Sequence, residues 1–308
     1  MVMPASRSQR ERVTAFVMLL PCFVVIVGFY LYPTMYNLEI SLTDLSLLRL
    51  RQGGNFVGAA NYREFFTNDQ LWTLVVNTVF WLTLVTVVLR LLLGLAIALL
   101  IQSERLRRWR MTSLVRLALI IPWAIPPIVA VSVWRWMLDP TVGPVNRLLV
   151  SMGLIADPIA FFANLRTVWP SIVTIVVWNT VPVAAVSLLA ALQSIPEDLY
   201  EAAGLDGADH WQKFRYITLP WLVPTLSVLA LMSTIWTFNN FVYVWLATGA
   251  GPGTYTNVLA TEIYIRAFTD TRLGYSAAIG VVMAVAMALL GAVYFKTFGA
   301  RALDERVG

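Results

Sequence analysis

The stretch TLVVNTVFWLTLVTVVLRLLLGLAIALLI, residues 73–101, carries a single charge, Arg90. A bilayer core of about 30 Å needs about 20 apolar residues in a helix, each rising about 1.5 Å. In hydrocarbon the backbone must satisfy its own hydrogen bonds, so such a run reads as a membrane helix. Five further stretches read the same way: 13–36, 112–138, 167–192, 217–246 and 275–299. The sequence therefore predicts an all-α membrane protein with six transmembrane helices.

Composition agrees. Of the 308 residues 59% are hydrophobic and 13% charged, with mean hydropathy +0.73. Soluble domains average about 25% charged residues. Disordered, fibrous, disulfide-scaffold and nucleic-acid-binding classes are excluded on this basis. The net charge of +5 is explained by loop arginines that set topology. The first run is preceded by Arg7, Arg10 and Arg12. It is too long for a signal-peptide core and lacks a small-residue cleavage site, so it reads as a retained helix.

Charges at the ends of the runs give the orientation. Arg7, Arg10 and Arg12 precede the first run, and Arg105, Arg107, Arg108 and Arg110 join the second to the third. Lys213 and Arg215 join the fourth to the fifth, and Lys296, Arg301 and Arg306 close the chain. Six spans put all of these on one side, the cytoplasm, with both termini inside. The resulting organisation is a tail (1–12), a first helix (13–36), an extracytoplasmic segment (37–72), a core (73–299) and a cytoplasmic tail (300–308). Residues 37–72 are expected to hold short interfacial helices.

Little chemistry is available inside the spans. Cys22 is the one cysteine, His210 the one histidine, and Lys213 and Lys296 the two lysines. No Gly-Lys-Ser/Thr occurs, so a P-loop is absent. A metal centre and a His-based triad are not expected. The spans lack the buried Asp, Glu or His of a proton relay, which disfavours an ion-coupled secondary carrier and an intramembrane enzyme. Arg90 is the one charge deep in a span; it reads either as a functional charge or as a pairing partner within the bundle. Trp236, Asn239, Asn240 and Tyr243 have near-helical spacing in the fifth run, and Trp178, Asn179 and Thr180 stand before Pro182 in the fourth. Aromatic rings beside amides and hydroxyls suit a polyol. The same residues also suit interhelical hydrogen bonding. Pro122, Pro126 and Pro127 in the third run predict kinks whose freed carbonyls neighbouring helices satisfy.

Between the fourth and fifth runs lies SIPEDLYEAAGLDGADHWQKFRYITLP, residues 194–220. Ser194 and Glu197 have capping-box spacing, with proline in the first turn. A short helix to about Ala203 is expected, carrying Glu197, Asp198 and Glu201. Gly204 and Gly207 then permit a turn. Asp206 is placed to cap a second short helix, which passes Trp211 and Phe214. Small Ala202 and Ala203 allow close approach of a partner surface.

Glu201-Ala202-Ala203, three residues, Gly207, nine residues, then Ile217-x-Leu219-Pro220 resembles the EAA motif of ABC-importer membrane subunits. The likeness extends along nearly the whole chain. YPTMYNLEISLTDLSL (32–47), FVGAANYREFF (56–66), PWAIPPIVAVSVWRWMLDPTVGPVN (122–146), TGAGPGTYTNVLATEIYIRAF (248–268) and LGYSAAIGVVM (273–283) resemble the carbohydrate, maltose-type permeases.

That resemblance implies a type I ABC importer permease fold in the bacterial cytoplasmic membrane. It implies a second homologous permease, two cytoplasmic P-loop ATPases and an extracytoplasmic solute-binding protein as partners. ATP and magnesium are expected on the ATPases, with no cofactor in this chain. The loop 194–216 would be the coupling element, with Glu197, Asp198, Glu201, Ala202, Ala203, Gly204, Asp206 and Gly207 against the ATPase. Solute contacts implied by the resemblance fall at Trp178 and Thr180, and in Phe238-Asn239-Asn240-Phe241; Trp236 and Tyr243 complete the expected set. Val176 stands where the family pattern has a polar contact. Glycerol-phosphate importers share the motif set but would need Arg or Lys for the phosphate. Arg90 and Arg135 are the nearby candidates, so a neutral sugar or polyol is expected.

Overall fold

The computed structural model describes residues 7–103 and 112–296. The arginines at 105, 107, 108 and 110, with Arg301, Arg306 and the tail 300–308, lie outside the described residues. Among those described, helices account for nearly all regular structure, with two isolated β-bridges, Thr43 with Phe56 and Ser46 with Arg272. The chain forms two compact units. One holds the chain up to Asn68 together with Ile263–Val285; the other holds Asp69–Glu262 and the chain from Ala286.

In the first unit one long helix runs through Arg7–Val25, a wider π turn at Ile26–Leu31, and Tyr32–Ser41. The most apolar window of its Thr14–Ser41 stretch is unburied within this chain. The helix extends past residue 36, the end expected from the sequence. A folded segment comes next. Asn61 donates from Nδ2 to the carbonyls of Ser41 and Thr43, both at 2.8 Å, and so ties the short helix Ala60–Phe66 to the end of the long one. Arg272 donates two hydrogen bonds of 2.6 Å to the Glu64 carboxylate. These bonds hold that carboxyl below its usual titration range. The backbone N–H of Asn55 does the same for Asp44.

The second unit is built around helix Val168–Gln193, the most buried of the spans. Helix Leu71–Gln102 packs along it. Gly94 permits a close approach: a Cβ there would stand 2.8 Å from Ala184 Cβ. Apolar burial supplies little drive between helices in lipid, so close packing at small residues matters most. Trp81 stacks on Trp169 with centroids 6.0 Å apart, and Leu188, Leu192 and Leu222 pack with Ile101 at the other end. The π turn Asn77–Val85 is stabilised by Thr83, whose hydroxyl donates to the Thr78 carbonyl at 2.6 Å.

Two of the six expected spans differ in shape from the sequence reading. The third is broken: Leu117–Ala124 and Pro127–Met137 meet at 99°. Pro126 forces its predecessor away from helical geometry and removes an N–H, so one helix through 112–138 cannot persist. The fifth is His210–Phe238 and does not run from 217 to 246. It stops at Asn239, and a separate helix, Val242–Thr248, comes after it. Five helices among the described residues are long and apolar enough to cross a bilayer, or six with the bent pair counted as one. The last is Leu273–Tyr294, and the end of the expected run, 297–299, lies outside the described residues.

Candidate functional site

Helices Leu71–Gln102, Val168–Gln193 and His210–Phe238 border a cavity of about 330 Å³. Val176, Thr180, Val183 and Ser187 face it from the fourth span, at offsets of four, three and four that hold one helical face. Met232, Ser233, Trp236 and Thr237 face it from the fifth, with Asn240 just beyond the helix end. Arg90 reaches it from the second span and Trp123 from the bent pair.

The expected solute residues separate into those at the cavity and those elsewhere. Thr180, Trp236 and Asn240 line it. Trp178 is two residues from both Val176 and Thr180, on another face of its helix. There its ring meets Trp134 edge-on, with centroids 5.8 Å apart. Asn239 is exposed and donates to the Ile235 carbonyl at 2.9 Å. Tyr243 is buried on the separate helix and donates to Asn179 Oδ1. Trp236, Asn239, Asn240 and Tyr243 therefore do not share one helical face, because the helix carrying the first of them ends at Phe238.

Asn179 has a defined structural task. Its Nδ2 donates to the carbonyls of Pro122 and Ile125, the latter at 3.2 Å. Pro126 has no N–H to offer the Pro122 carbonyl four residues back. The fourth span thus satisfies the broken third span, and the Tyr243 hydroxyl donates to the side-chain oxygen of Asn179. The short Val242–Thr248 helix is fixed in turn by Asn240 Oδ1, which accepts from the Tyr243 N–H at 3.2 Å.

Arg135 donates to the Leu246 carbonyl at 3.1 Å. Arg90, in contrast, is buried at 5% exposure and donates from Nη2 to Thr237 Oγ1 at 3.1 Å. Val183, Ser187, Met232 and Ser233 are cavity residues beyond those expected from the sequence; their helical spacing with Thr180 and Trp236 is the signal that marks them.

At the other end of the same helices stands the loop 194–220. Its first helix is Glu197–Leu205, so Gly204 lies within it and does not break it. Ser194 does not cap it: Pro196 holds that position, and the Ser194 hydroxyl donates to the Ala191 carbonyl. Glu197 and Asp198 sit in the first turn, where carboxylates oppose the helix dipole. Gly207 ends the helix at φ +79°. Its N–H donates to the Gly204 carbonyl at 3.1 Å, and the Ala208 N–H donates to that of Ala203 at 2.9 Å, which together form a Schellman closure. Asp209, not Asp206, caps the next helix, in a reciprocal capping box with Gln212.

The loop is tied firmly to the spans. Tyr200 and Thr218 share a hydroxyl bond of 2.8 Å, and Trp221 donates to Ser194 Oγ at 3.2 Å. Tyr200 and Ile217 pack against the cluster of Leu188, Leu192 and Leu222. Glu201, Ala202, Gly204 and Asp206 remain exposed, and Leu205 is 90% exposed. A rigid, exposed helix end results, presenting small residues and carboxylates.

Known proteins share this architecture. The chain is 34% identical over 286 residues to the sulfoquinovosyl glycerol transport system permease protein SmoG of Agrobacterium fabrum, covering 93% of this chain and 90% of that one. It is 35% identical over 266 residues to the trehalose/maltose transport system permease protein MalF of Thermococcus litoralis, covering 86% and 85%. A chain in the crystal structure of a bacterial ABC transporter involved in the import of the acidic polysaccharide alginate superposes with TM-score 0.77 at 23% identity, covering 95% of this chain and 98% of that one. That likeness establishes the type I importer permease fold. Residues 90–307 match the family model for the binding-protein-dependent transport system inner membrane component. With most of its length matched, the chain belongs to the family of inner membrane components of binding-protein-dependent transport systems.

Proposed function

We propose that this chain is one permease subunit of an ATP-driven importer for a sugar, oligosaccharide or related polyol. One observation carries the reading: helices Val168–Gln193 and His210–Phe238 line the cavity at one level and are joined at their other ends by the tied loop 194–220. A force on the loop is thus transmitted to the cavity walls. The relatives named for sugar glycosides and disaccharides support the solute class. Thr180, Trp236 and Asn240 offer a hydroxyl, a ring and an amide suited to a sugar.

In this reading a second, homologous permease completes the pathway, and an extracytoplasmic binding protein delivers the solute. Two P-loop ATPases bind ATP and magnesium. The Glu197–Leu205 helix seats in an ATPase groove, with Glu201 as the polar contact and Ala202 and Ala203 permitting the fit. Both termini and the loop 194–216 face the cytoplasm of a bacterial cell. Closure of the ATPases shifts the two-state pathway by acting on this loop.

The test is ATP-dependent accumulation of a labelled sugar by the complex in proteoliposomes. Gly207→Val places a β-branched residue at φ +79°, which costs about 1–2 kcal/mol in local geometry. Gly207→Val and Glu201→Ala are each expected to lower uptake at least about tenfold while the complex still assembles. Uptake unchanged in both variants would contradict the coupling role.

A further inference from the structure

Arg90 is the one charged side chain among the residues that line the cavity. Its guanidinium is buried and keeps its charge. Thr237 accepts one of its hydrogen bonds, and its Nε is buried with no hydrogen-bond partner among the described residues. The polar residues that line the cavity with it are uncharged, Thr180 and Ser187 from the fourth span and Ser233, Thr237 and Asn240 from the fifth region. Tyr243, which interacts electrostatically with the guanidinium, is a neutral phenol that donates to Asn179. A buried charge without a counter-charge is costly, and a neutral side chain would pack the same space at lower cost. The arrangement is a positive, incompletely satisfied donor beside open volume. That volume falls within the usual range of ligand pockets, about 300–1,000 Å³.

We propose that Arg90 binds an anionic group, a carboxylate or phosphate, carried by the sugar or polyol that occupies this cavity. The guanidinium fork matches the paired oxygens of such a group. Trp236 and Asn240 remain for the ring and hydroxyls. The inference rests on the cavity being the solute path. It departs from the neutral solute expected from the scarcity of basic residues, since one desolvated arginine at the cavity outweighs several that are absent.

Calorimetric titration of the purified complex in nanodiscs tests this, with glucose, glucuronate and glucose 6-phosphate as probes. The wild-type complex is expected to bind at least one anionic sugar about tenfold or more tighter than glucose, with a preference that weakens as salt is raised. Arg90→Gln is expected to bring the affinities within about twofold, and Arg90→Lys to retain part of the preference. Melting temperatures report whether each variant is folded. If Arg90→Gln fails to fold, the wild-type and lysine titrations decide. Equal wild-type affinities, or a preference surviving in Arg90→Gln, would overturn the proposal. Binding of glucose alone would overturn it and leave the solute path standing. Absence of binding by all three would overturn this inference, and labelled-sugar uptake by the same complex then decides whether the solute path stands. Absence of a preference combined with loss of the second permease from Arg90→Gln would show a partner carboxylate as the counter-charge, and would also overturn it.

Discussion

Asn179 shows how one side chain organises a bundle. It satisfies two carbonyls at the break of the third span and accepts the Tyr243 hydroxyl. Leaving a buried polar group unpaired costs about 1–3 kcal/mol, while interhelical bonds in membranes average about 0.6 kcal/mol. Asn179→Leu removes three bonds at once and is expected to cost about 2–3 kcal/mol on the same scale. Tyr243→Phe removes one and is expected to cost about 1 kcal/mol or less. Thermal unfolding of the detergent-solubilised chain checks the order; equal losses would contradict it. The prolines of the third run predict freed carbonyls satisfied by a neighbour. Which neighbour supplies the donor depends on a long-range contact, which residue spacing does not encode. Trp178 illustrates the same limit. Its place beside Thr180 in sequence suggests a shared role, but two residues along a helix turn a side chain to another face.

At the scale of elements, the Gly94 contact with Ala184 brings the second and fourth spans together. Gly94→Leu is expected to destabilise the chain by about 3 kcal/mol, near the upper end for overpacking, because the obstruction includes backbone. Gly94→Ala is expected to cost less. Yield of folded chain and melting temperature report both; a Gly94→Leu chain as stable as wild type would contradict the close packing. Existence of the spans is readable from apolar runs alone. Their ends are not. Hydropathy continues from Phe238 into Val242–Thr248, so the fifth run looks unbroken in sequence. The stop is made by Asn239 and Asn240, whose amides bond local backbone instead of extending the helix. Similarly, Asp209 displaces Asp206 as the cap because the Schellman closure at Gly207 sets where the next helix begins.

On the scale of the whole molecule, two features of the fourth and fifth spans belong together: a cavity along their length and an exposed, rigidly held helix end at their junction. An importer permease needs this combination, since solute and energy source act at separate places and communicate through a two-state element. The shape of the loop 194–220 is legible in the sequence, since short helices and a glycine turn are local features. The cavity is only partly legible. Thr180, Trp236 and Asn240 stand out as polar or aromatic groups in apolar runs, whereas Val183 and Met232 are apolar residues marked only by their helical spacing from Thr180 and Trp236.

A permease driven through that loop by separate ATPases must be found with them. Purifying the tagged chain in mild detergent from its native membrane, and identifying the co-purifying chains by mass, is the decisive measurement. The expected result is a P-loop ATPase in two copies and a second multi-span permease. In the Gly207→Val complex the same chains are expected, with ATP hydrolysis uncoupled from uptake. A chain that purifies alone or as a homodimer, under conditions that preserve other membrane complexes, would contradict a permease driven in this way.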